Sequence, residues 1–364
     1  MSEHSARHPL RSARRVVIKV GTAVVSREDR GVALGRMGTL VEQIHDLRRE
    51  GREVILVSSG AIGLGVERLG FDRRPVAVAD LAACAAAGQG TLMGLYDTFF
   101  SRLGERVAQV LLTEDDFHRR SRYVTLAATL ERLLALGAVP LLNENDAVST
   151  DHLAVFGDND RLAALVASNI DCDALVLLSD VDAVYSAPPG EPGARPIPLW
   201  SEAEQVRIGA LSAGGRGGMG AKIAAANLAA GVGVNTVIAS GYRPEVLGRI
   251  FRGEEEGTLF PAGARPNRRR RWLAHATAPA GTLHVNEGAR AALVTGRASL
   301  LAPGVVGVEG EWEAGSVVRI LCAGGEVARG LCARSSAEVR AEIGKQGRGR
   351  ALVHRNDAVI LEEE

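Results

Sequence analysis

Short runs of Val, Ile and Leu alternate with Ala-rich segments of helical length as far as Phe260. Continuous apolar runs of this kind are typical of strands that are buried on both faces of a parallel sheet. The pattern predicts buried strands at 15–20, 53–58, 108–112, 139–143, 174–179 and 235–239. It predicts helices at 37–50, 80–103, 122–136, 158–168 and 219–230. This alternation indicates an α/β fold with a mostly parallel central sheet.

The pattern changes after Phe260. Residues 261–275 contain Pro, Gly and four consecutive arginines, Arg268 to Arg271, and are predicted to form a solvated linker. Short strands with Gly turns follow over 276–361, at 281–285, 299–301, 304–310, 316–320 and 351–355, which predicts a small β-barrel. We therefore expect one domain over 14–260 and a second over 276–361. The polar residues 1–13 are predicted to be a frayed leader.

Composition and charge bear on nucleic-acid binding, on the cellular compartment and on membrane insertion. The net charge is zero and aromatic residues make up 4% of the chain, so nothing in the overall charge favours a dedicated nucleic-acid binder. The four cysteines form no C-x-x-C pair, which is typical of a reduced, cytoplasmic protein. By inspection, no apolar stretch approaches the roughly 20 residues that cross a bilayer. We therefore expect no membrane span and no secretory signal.

Lysine is rare in this chain. The 43 Lys and Arg residues include only three lysines, Lys19, Lys222 and Lys345. Lys19 ends an apolar run just before Gly21, and Lys222 closes a Gly-rich stretch, 214–222. A sequence that otherwise uses arginine is expected to keep lysine where a compact ammonium group is needed, for example at a phosphate. The alternative is that these lysines are ordinary salt-bridge partners kept by chance.

Polar residues follow several predicted strands, at the sheet edge where open α/β folds bind ligands. Ser59 lacks the flanking glycines of an esterase elbow, so it is interpreted as a substrate or phosphate contact, with a helix cap as the alternative. Amides and carboxyls follow at 143–146, where they can orient an amino-acid ammonium group or ordered waters, and another acid-amide-acid cluster stands at a helix start, 158–160. A solvated turn is the alternative for the first group and a helix cap for Asp158.

Two further segments suit a nucleotide. Ser179 and Asp180 end a strand and precede a Pro/Gly-rich segment, 187–198, that suits a flap over a nucleotide. Glycines at 217, 218 and 220 leave backbone N–H groups accessible before a helix. Ala221 separates Gly220 from Lys222, so the spacing excludes the P-loop. We infer a different phosphate-binding device.

Six motifs in order resemble the glutamate 5-kinases of the amino acid kinase superfamily over roughly 14–260. They are Ile-Lys-Val-Gly-Thr, Val-Ser-Ser-Gly-Ala-Ile, Asn-Glu-Asn-Asp-Ala-Val, Gly-Asp-Asn-Asp-x-Leu, Leu-Leu-Ser-Asp-Val-Asp and Gly-Gly-Met-x-x-Lys. The resemblance implies an α/β/α sandwich that phosphorylates the γ-carboxylate of glutamate with ATP, the first step of proline biosynthesis. A sister kinase with another carboxylate substrate is the alternative within the superfamily.

The resemblance also implies residue roles. Lys19, Lys222 and Asp160 would be catalytic, and Ser59, Asp146 and Asn159 would bind glutamate. The ATP contacts would be Lys19, Ser179, Asp180, Arg216, Gly217, Gly218, Met219, Gly220, Ala221 and Lys222. Mg²⁺ would bridge phosphate oxygens with mostly water ligands, so no protein ligand is assigned. Ser179 and Ala221 stand where the family commonly has Thr, and Arg216 where it often has a smaller residue.

The C-terminal segment resembles the PUA domain, through Asn286 to Arg290, Leu301 to Val305 and Val327 to Gly330. Because PUA domains occur on RNA-modifying enzymes, an RNA-binding or RNA-modifying protein is the rival hypothesis. The kinase resemblance implies a homo-oligomer, a tetramer or dimer, and a hand-off of the acyl phosphate to glutamyl phosphate reductase.

Overall fold

The computed structural model of the chain describes residues 3–27, 31–113, 115–148, 159–201, 204, 206, 218–265, 267–276, 279–295, 298–343 and 350–361. The chain divides into two compact units. Unit 1 comprises residues 1–116 and 121–265, and unit 2 comprises residues 117–120 and 266–364. The division at residue 265 lies inside the segment that the sequence predicts as a linker.

Unit 1 is built on a seven-stranded sheet with the order β3-β4-β2-β1-β5-β8-β9. Its pairs are parallel except β8 with β9. The strands, together with the separate hairpin β6–β7, are β1 Arg15–Val20, β2 Glu53–Ser58, β3 Arg106–Leu112, β4 Ala138–Glu144, β5 Ala174–Ser179, β6 Val184–Tyr185, β7 Pro196–Ile197, β8 Asn235–Ser240 and β9 Thr258–Phe260. All six predicted strands are confirmed, with ends that move by no more than two residues.

Helices cover the sheet. They are α1 Glu3–Arg11, α2 Thr22–Val25, α3 Leu34–Arg49, α4 Ala61–Arg68, α5 Val78–Arg102, α6 Asp115–His118, α7 Arg120–Ala135, α8 Asn159–Asn169, α9 Met219–Gly231 and α10 Val246–Phe251. The five predicted helices are confirmed, apart from Asp158, which lies outside the described residues. The predicted α/β fold with a mostly parallel sheet is therefore confirmed.

The burial of each strand explains its sequence. Strand β5 is buried at every position, and β1 and β2 at every position after the first, because layers on both faces of the sheet cover them. Strand β3 lies at the edge of the sheet and has exposed side chains at Arg106, Gln109 and Leu111. The apolar runs therefore mark the centre of the sheet.

Strand β1 lies between β2 and β5, with Lys19 aligned to Val57 on one side and Leu177 on the other. The connections that leave β1 and β5 thus run to opposite sides of this position, which is where open α/β sheets form a ligand crevice. The carboxyl ends of β1, β2 and β5 meet here and carry the polar residues that the sequence singled out.

The N-terminal segment differs from the frayed leader that the sequence predicts. Residues Glu3–Arg11 form α1, in which Ala6 and Leu10 are buried and Arg7 is 1% exposed. The segment is strongly polar on average and only Ala6 and Leu10 contribute apolar side chains to its buried face, so the sequence predicts a frayed leader although these two residues have helical spacing. Arginine is mostly exposed in folded proteins, so the burial of Arg7 could not be expected from the sequence.

Helices α4 and α5 pack unusually closely. A Cβ atom at Gly65 would lie 1.7 Å from the Cys84 carbonyl oxygen, and one at Gly88 would lie 1.8 Å from the Ala61 carbonyl oxygen. By length and composition α5 would also be able to cross a membrane, contrary to the expectation that no such stretch exists. Its apolar character comes largely from Ala, and its Tyr96 and Phe100 side chains lie in the core of unit 1.

Unit 2 contains a five-stranded sheet with the order β11-β10-β12-β13-β14, in which only β10 and β12 pair in parallel. Its elements are α11 Arg268–Arg271, a π-helical turn Trp272–Ala276, β10 Gly281–Val285, α12 Glu287–Val294, a 3₁₀ turn Ala302–Gly304, β11 Val305–Gly310, β12 Val317–Cys322, β13 Gly325–Cys332, α13 Ser336–Glu342 and β14 Val353–Ile360. The core includes Leu283, Val318 and Ile320.

Two expectations for this region are wrong. The predicted strand at 299–301 is only an isolated bridge between Leu300 and Val353, and β13 was not predicted as a strand. The arginine run does not lie in a solvated linker, because Arg271 is 3% exposed and Arg269 makes an ion pair with Asp357. Strand β13 was missed because two glycines and the charged Glu326 and Arg329 break its apolar pattern, and the short helix α11 was missed because it consists of four arginines.

Candidate active site

A buried carboxylate lies between two lysines at the carboxyl edge of the sheet in unit 1. The Lys19 Nζ atom is 2.5 Å from Asp160 Oδ1, and the Lys222 Nζ atom is 2.9 Å from Asp160 Oδ2. The side chain of Asp160 is 1% exposed, that of Lys19 5% and that of Lys222 12%. Three elements distant in sequence, β1, α8 and α9, therefore bring one anion and two cations together.

The charges of this cluster determine the ionisation of Asp160. Burial alone would raise the pKa of its carboxyl group, but the ammonium groups of Lys19 and Lys222 outweigh burial and hold that pKa well below its usual range. Asp160 also lies in the first turn of α8, where the helix dipole favours a negative charge. The carboxylate is thus charged throughout the physiological pH range.

Backbone approaches the cluster closely at the end of β1. The Gly21 N–H group donates to the Leu178 carbonyl oxygen at 3.0 Å. A Cβ atom at Gly21 would lie 3.2 Å from that oxygen and 3.8 Å from Lys19 Nζ. A side chain at this position would crowd the Leu178 carbonyl oxygen of β5 and would occupy the space beside the ammonium group, which glycine leaves open.

A second polar cluster surrounds Asn159. Its Nδ2 atom lies 2.9 Å from Ser59 Oγ, 2.9 Å from Asn143 Oδ1 and 3.3 Å from the Ser58 carbonyl oxygen. Its Oδ1 atom is buried and has no hydrogen-bond partner among the described residues. A buried acceptor of this kind is suited to a donor on a ligand, such as an ammonium group.

The supporting residues of this cluster were missed or only partly recognised in the sequence. Asn143 Nδ2 donates to Gln89 Oε1 at 2.7 Å, and Ser58 Oγ lies 2.9 Å from the Tyr96 hydroxyl. Burial raises the pKa of Tyr96 to about 12, so this hydroxyl stays protonated. Gln89 and Tyr96 lie in the middle of α5, and no local motif marks them.

The predicted ATP contacts that the structure describes lie at the ends of β5 and at the start of α9. The Ser179 hydroxyl donates to Asp180 Oδ1 at 2.9 Å, and the Gly241 N–H group donates to the Ser179 carbonyl oxygen at 2.8 Å. Gly218 is the N-cap of α9 and adopts an extended conformation without a side-chain cap. Met219, Gly220 and Ala221 form the first turn of the helix, directly before Lys222.

Three predicted site residues are not joined to these clusters by the contacts described above. Asp146 is half-buried in the turn after β4. Arg216 and Gly217 lie outside the described residues. Their predicted roles stay predictions.

Metal binding by the protein alone finds no support in the described part of the chain. Those residues contain no group of three or more His, Cys, Asp or Glu side chains arranged to hold a metal ion. Both oxygens of Asp160 face ammonium groups. The donor set therefore does not fit a magnesium ion held by protein ligands at this position.

Comparisons with known proteins agree with the fold. The sequence model of the amino acid kinase family matches residues 14–240, and that of the PUA domain matches residues 281–351. Glutamate 5-kinase of Acaryochloris marina is 45% identical over 365 residues, which cover 95% of this chain and 98% of the relative. That of Gloeobacter violaceus is 45% identical, covering 95% and 99%. That of Geobacter sulfurreducens is 41% identical, covering 97% and 99%. Both resemblances noted in the sequence are confirmed.

Proposed function

The chain belongs to the amino acid kinase family, and from that premise we propose that it transfers the γ-phosphoryl group of ATP to the γ-carboxylate of L-glutamate. The product is L-glutamyl 5-phosphate, and the reaction is the first step of proline biosynthesis. The observation that carries the proposal is the buried Asp160 carboxylate between two ammonium groups at the carboxyl edge of the sheet.

The reaction needs no general base. The γ-carboxylate of glutamate has a pKa of about 4.3 and is ionised at neutral pH. One of its oxygens forms a bond to the γ-phosphorus as the bond from that phosphorus to the bridging oxygen of ADP breaks, and ADP leaves with the electron pair. Catalysis is then a matter of aligning two anions and stabilising the charge on the transferring group.

Lys19 and Lys222 supply that stabilisation. Each ammonium group has three donors and sits on a flexible stem, so Lys19 and Lys222 can donate to phosphate oxygens while they stay beside Asp160. Asp160 orients both lysines, and its charge offsets their mutual repulsion while no phosphate is bound. Two point charges on flexible stems can follow the phosphoryl group from ATP to the acceptor.

Glutamate binds beside Asn159. The Asn159 Oδ1 atom accepts from the substrate ammonium group, and the adjacent Ser59 hydroxyl holds the Asn159 amide in place and contacts the substrate. Asp146 supplies a carboxylate to the same ammonium group. This assignment is supported by the buried Asn159 acceptor and by its 2.9 Å contact with Ser59.

ATP binds against the start of α9 and the end of β5. Backbone N–H groups of Met219 and Gly220 at the positive end of α9 accommodate the phosphates, and Ser179 and Asp180 contact the nucleotide. Magnesium would bind phosphate oxygens of ATP with mostly water ligands and would neutralise part of their charge. No step of the proposed mechanism passes through a metal held by the protein.

The substrate assignment is tested by trapping the product. Incubation with ATP, magnesium and hydroxylamine converts an acyl phosphate to a stable hydroxamate. We expect a strong signal with L-glutamate and only background with aspartate or N-acetylglutamate. Lys345→Arg is the matched control, because it replaces the third lysine of the chain and is expected to keep full activity. An equal or larger signal with another carboxylate would assign the chain to a sister kinase.

The PUA match is the observation behind a second candidate, RNA binding. The arginine run presents less positive charge to a nucleic acid than its sequence indicates, because Arg271 is buried and Arg269 makes an ion pair with Asp357. Filter binding with total tRNA at physiological salt tests this candidate. We expect no saturable binding, and tight saturable binding would favour an RNA-directed role.

Three further expectations belong to the same proposal. The enzyme is a cytoplasmic protein and assembles as a tetramer or dimer. Its acyl phosphate passes to glutamyl phosphate reductase, because acyl phosphates hydrolyse readily in water. Size-exclusion chromatography with light scattering measures the assembly directly.

A further inference from the structure

Helix α1 lies before the matched kinase segment, which begins at residue 14, and it is tied into unit 1 by one buried side chain. The guanidinium group of Arg7 donates to three backbone carbonyl oxygens. Arg7 Nη1 donates to Glu256 at 2.8 Å, and Nη2 donates to Pro198 and to Gly257, each at 2.9 Å. A charged side chain is costly to bury, so this arrangement indicates a specific role for these carbonyl contacts.

The carbonyl of Pro198 marks the exit of the hairpin β6–β7. The hairpin closes through pairing of Val184 with Ile197 and of Tyr185 with Pro196. It starts a few residues after Ser179 and Asp180, at the edge of the sheet where Lys19 and Lys222 meet. Strand β6 precedes the segment 187–198 that the sequence predicts to cover the nucleotide, and β7 lies within that segment.

The same hairpin is fastened to β9 by a second set of contacts. The Thr258 hydroxyl donates to the Ile197 carbonyl oxygen at 2.6 Å and accepts from the Val184 N–H group at 2.8 Å. The Leu259 N–H group donates to the Pro198 carbonyl oxygen at 2.9 Å. Arg7 therefore completes an anchor for both strands of the hairpin, made of Thr258, Leu259 and the N-terminal helix.

We propose that Arg7 is a positioning residue for ATP: through Pro198 and Gly257 it holds the β6–β7 hairpin in the position that receives the nucleotide. The inference rests on the proposed kinase function for its ligand. It assigns to α1, which the kinase family match does not include, a part in nucleotide affinity. Arg7 itself contacts no reacting atom.

Loss of Arg7 is expected to weaken the binding of ATP but not the binding of glutamate. Loss of Arg7 loosens the hairpin and weakens ATP binding, whereas the Asn159 cluster, which uses residues of β2, β4 and α8, keeps its geometry. Removing hydrogen bonds from a charged group costs about 1.5–3 kcal/mol, which corresponds to roughly a tenfold to hundredfold change in an equilibrium constant. We therefore expect the KM for ATP to rise at least about tenfold while the KM for glutamate changes less than about twofold.

The test compares Arg7→Met with Arg11→Met in the full-length chain. Arg11 belongs to the same helix but is exposed, so its substitution makes the same chemical change without touching the hairpin. Thr258→Val is the second variant, because it removes the other anchor with little change of volume. Steady-state kinetics by hydroxamate trapping give the two KM values, and hydrogen exchange of the nucleotide-free protein reports on amides 182–198.

The proposal expects faster exchange over 182–198 and a raised KM for ATP in Arg7→Met and Thr258→Val, with Arg11→Met like the wild type. Unchanged exchange in Arg7→Met would overturn the anchor, whatever the activity of the chain. Faster exchange with an unchanged KM for ATP would overturn the link to the nucleotide. If Arg7→Met fails to fold, Thr258→Val decides by the same two readouts. A wild type inactive with ATP and glutamate contradicts the proposed function, and the exchange result still tests the anchor.

Discussion

Two charge clusters lie at opposite ends of the parallel sheet in unit 1, and they use different cations. At the carboxyl edge, Asp160 is held by Lys19 and Lys222. At the amino edge, Glu105 precedes β3 and lies 3.0 Å from both Arg48 Nε and His45 Nδ1. Each cluster has one carboxylate and two nitrogen-bearing partners, but only the first uses lysine.

The arginine cluster stabilises the fold, whereas the lysine cluster is suited to binding a ligand. Arg48 uses its planar fork to join two loops, because Nε donates to Glu105 and Nη2 donates to the Gly137 carbonyl oxygen at 2.9 Å. The lysines at the other edge carry a compact ammonium group on a flexible stem, so they can turn from Asp160 toward a phosphate. A chain with only three lysines has two of them at this one point.

The largest expected effect follows from Asp160→Asn. This change leaves two buried ammonium groups without their carboxylate, which costs about 3–5 kcal/mol of the free energy of unfolding. Kinase activity is expected to fall with it. Denaturant unfolding measures the loss. The matched control is Glu105→Gln in the more exposed cluster, whose free energy of unfolding should fall less and whose turnover should be retained. Equal costs at the two edges would remove the distinction between them.

Lys19→Arg and Lys222→Arg come next. A planar guanidinium is a poor substitute for a point charge at the phosphoryl group, so each variant should lose at least about a hundredfold in kcat while the fold survives. Hydroxamate formation at saturating substrates measures kcat, and circular dichroism checks the fold. Near-normal turnover in either variant would reduce that lysine to an ordinary ion-pair partner.

The reverse exchange at the amino edge, Arg48→Lys, should affect only stability. Lysine cannot make both contacts of the arginine fork, so the free energy of unfolding should fall by about 1–2 kcal/mol. The kcat and both KM values should stay within about twofold of the wild type. A loss of turnover comparable with that of the lysine variants would show that the two edges are coupled.

The smallest effect is a difference in acid sensitivity. Because the pKa of Asp160 is lowered in the folded state, the unfolded state binds a proton first as the pH falls. The stability that Asp160 contributes is therefore complete above its unfolded pKa of about 3.9 and is lost only as the pH falls through the lower folded-state value. Unfolding measured against pH should show a constant advantage over Asp160→Asn down to about pH 5 and a shrinking one below about pH 4. An advantage that shrinks already near neutral pH would contradict this reading.

The sequence predicted the sheet well because the centre of a parallel sheet has an unmistakable composition. Strands β1, β2 and β5 are built mainly of buried Val, Ile and Leu and end at polar or glycine-bearing turns, so their limits agree with the prediction at every residue. Strand β9 has only three residues, too few for a periodic pattern, and α1 is so polar on average that its buried face was not recognised in the sequence.

The site was predictable to the extent that it follows strand ends and motifs. Lys19 and Lys222 were singled out by their rarity and their glycine neighbours, and the structure brings both to Asp160. Gln89 was not predictable, since it reaches Asn143 from the middle of a helix. Arg7 was not predictable either, because its partners are backbone carbonyls about 190 and 250 residues away.

The rarity of lysine also provides the most direct test of the central claim, that Lys19 and Lys222 together receive the phosphates of ATP. Labelling with [¹³Cε]lysine gives three side-chain signals in an NMR spectrum, one for each lysine of the chain. Lys345→Arg identifies the third signal by removing it. On addition of MgADP followed by a non-hydrolysable ATP analogue, the account predicts that the Lys19 and Lys222 signals both shift, more with the analogue than with ADP, while the Lys345 signal stays in place. Unmoved Lys19 and Lys222 signals at saturating nucleotide would contradict it.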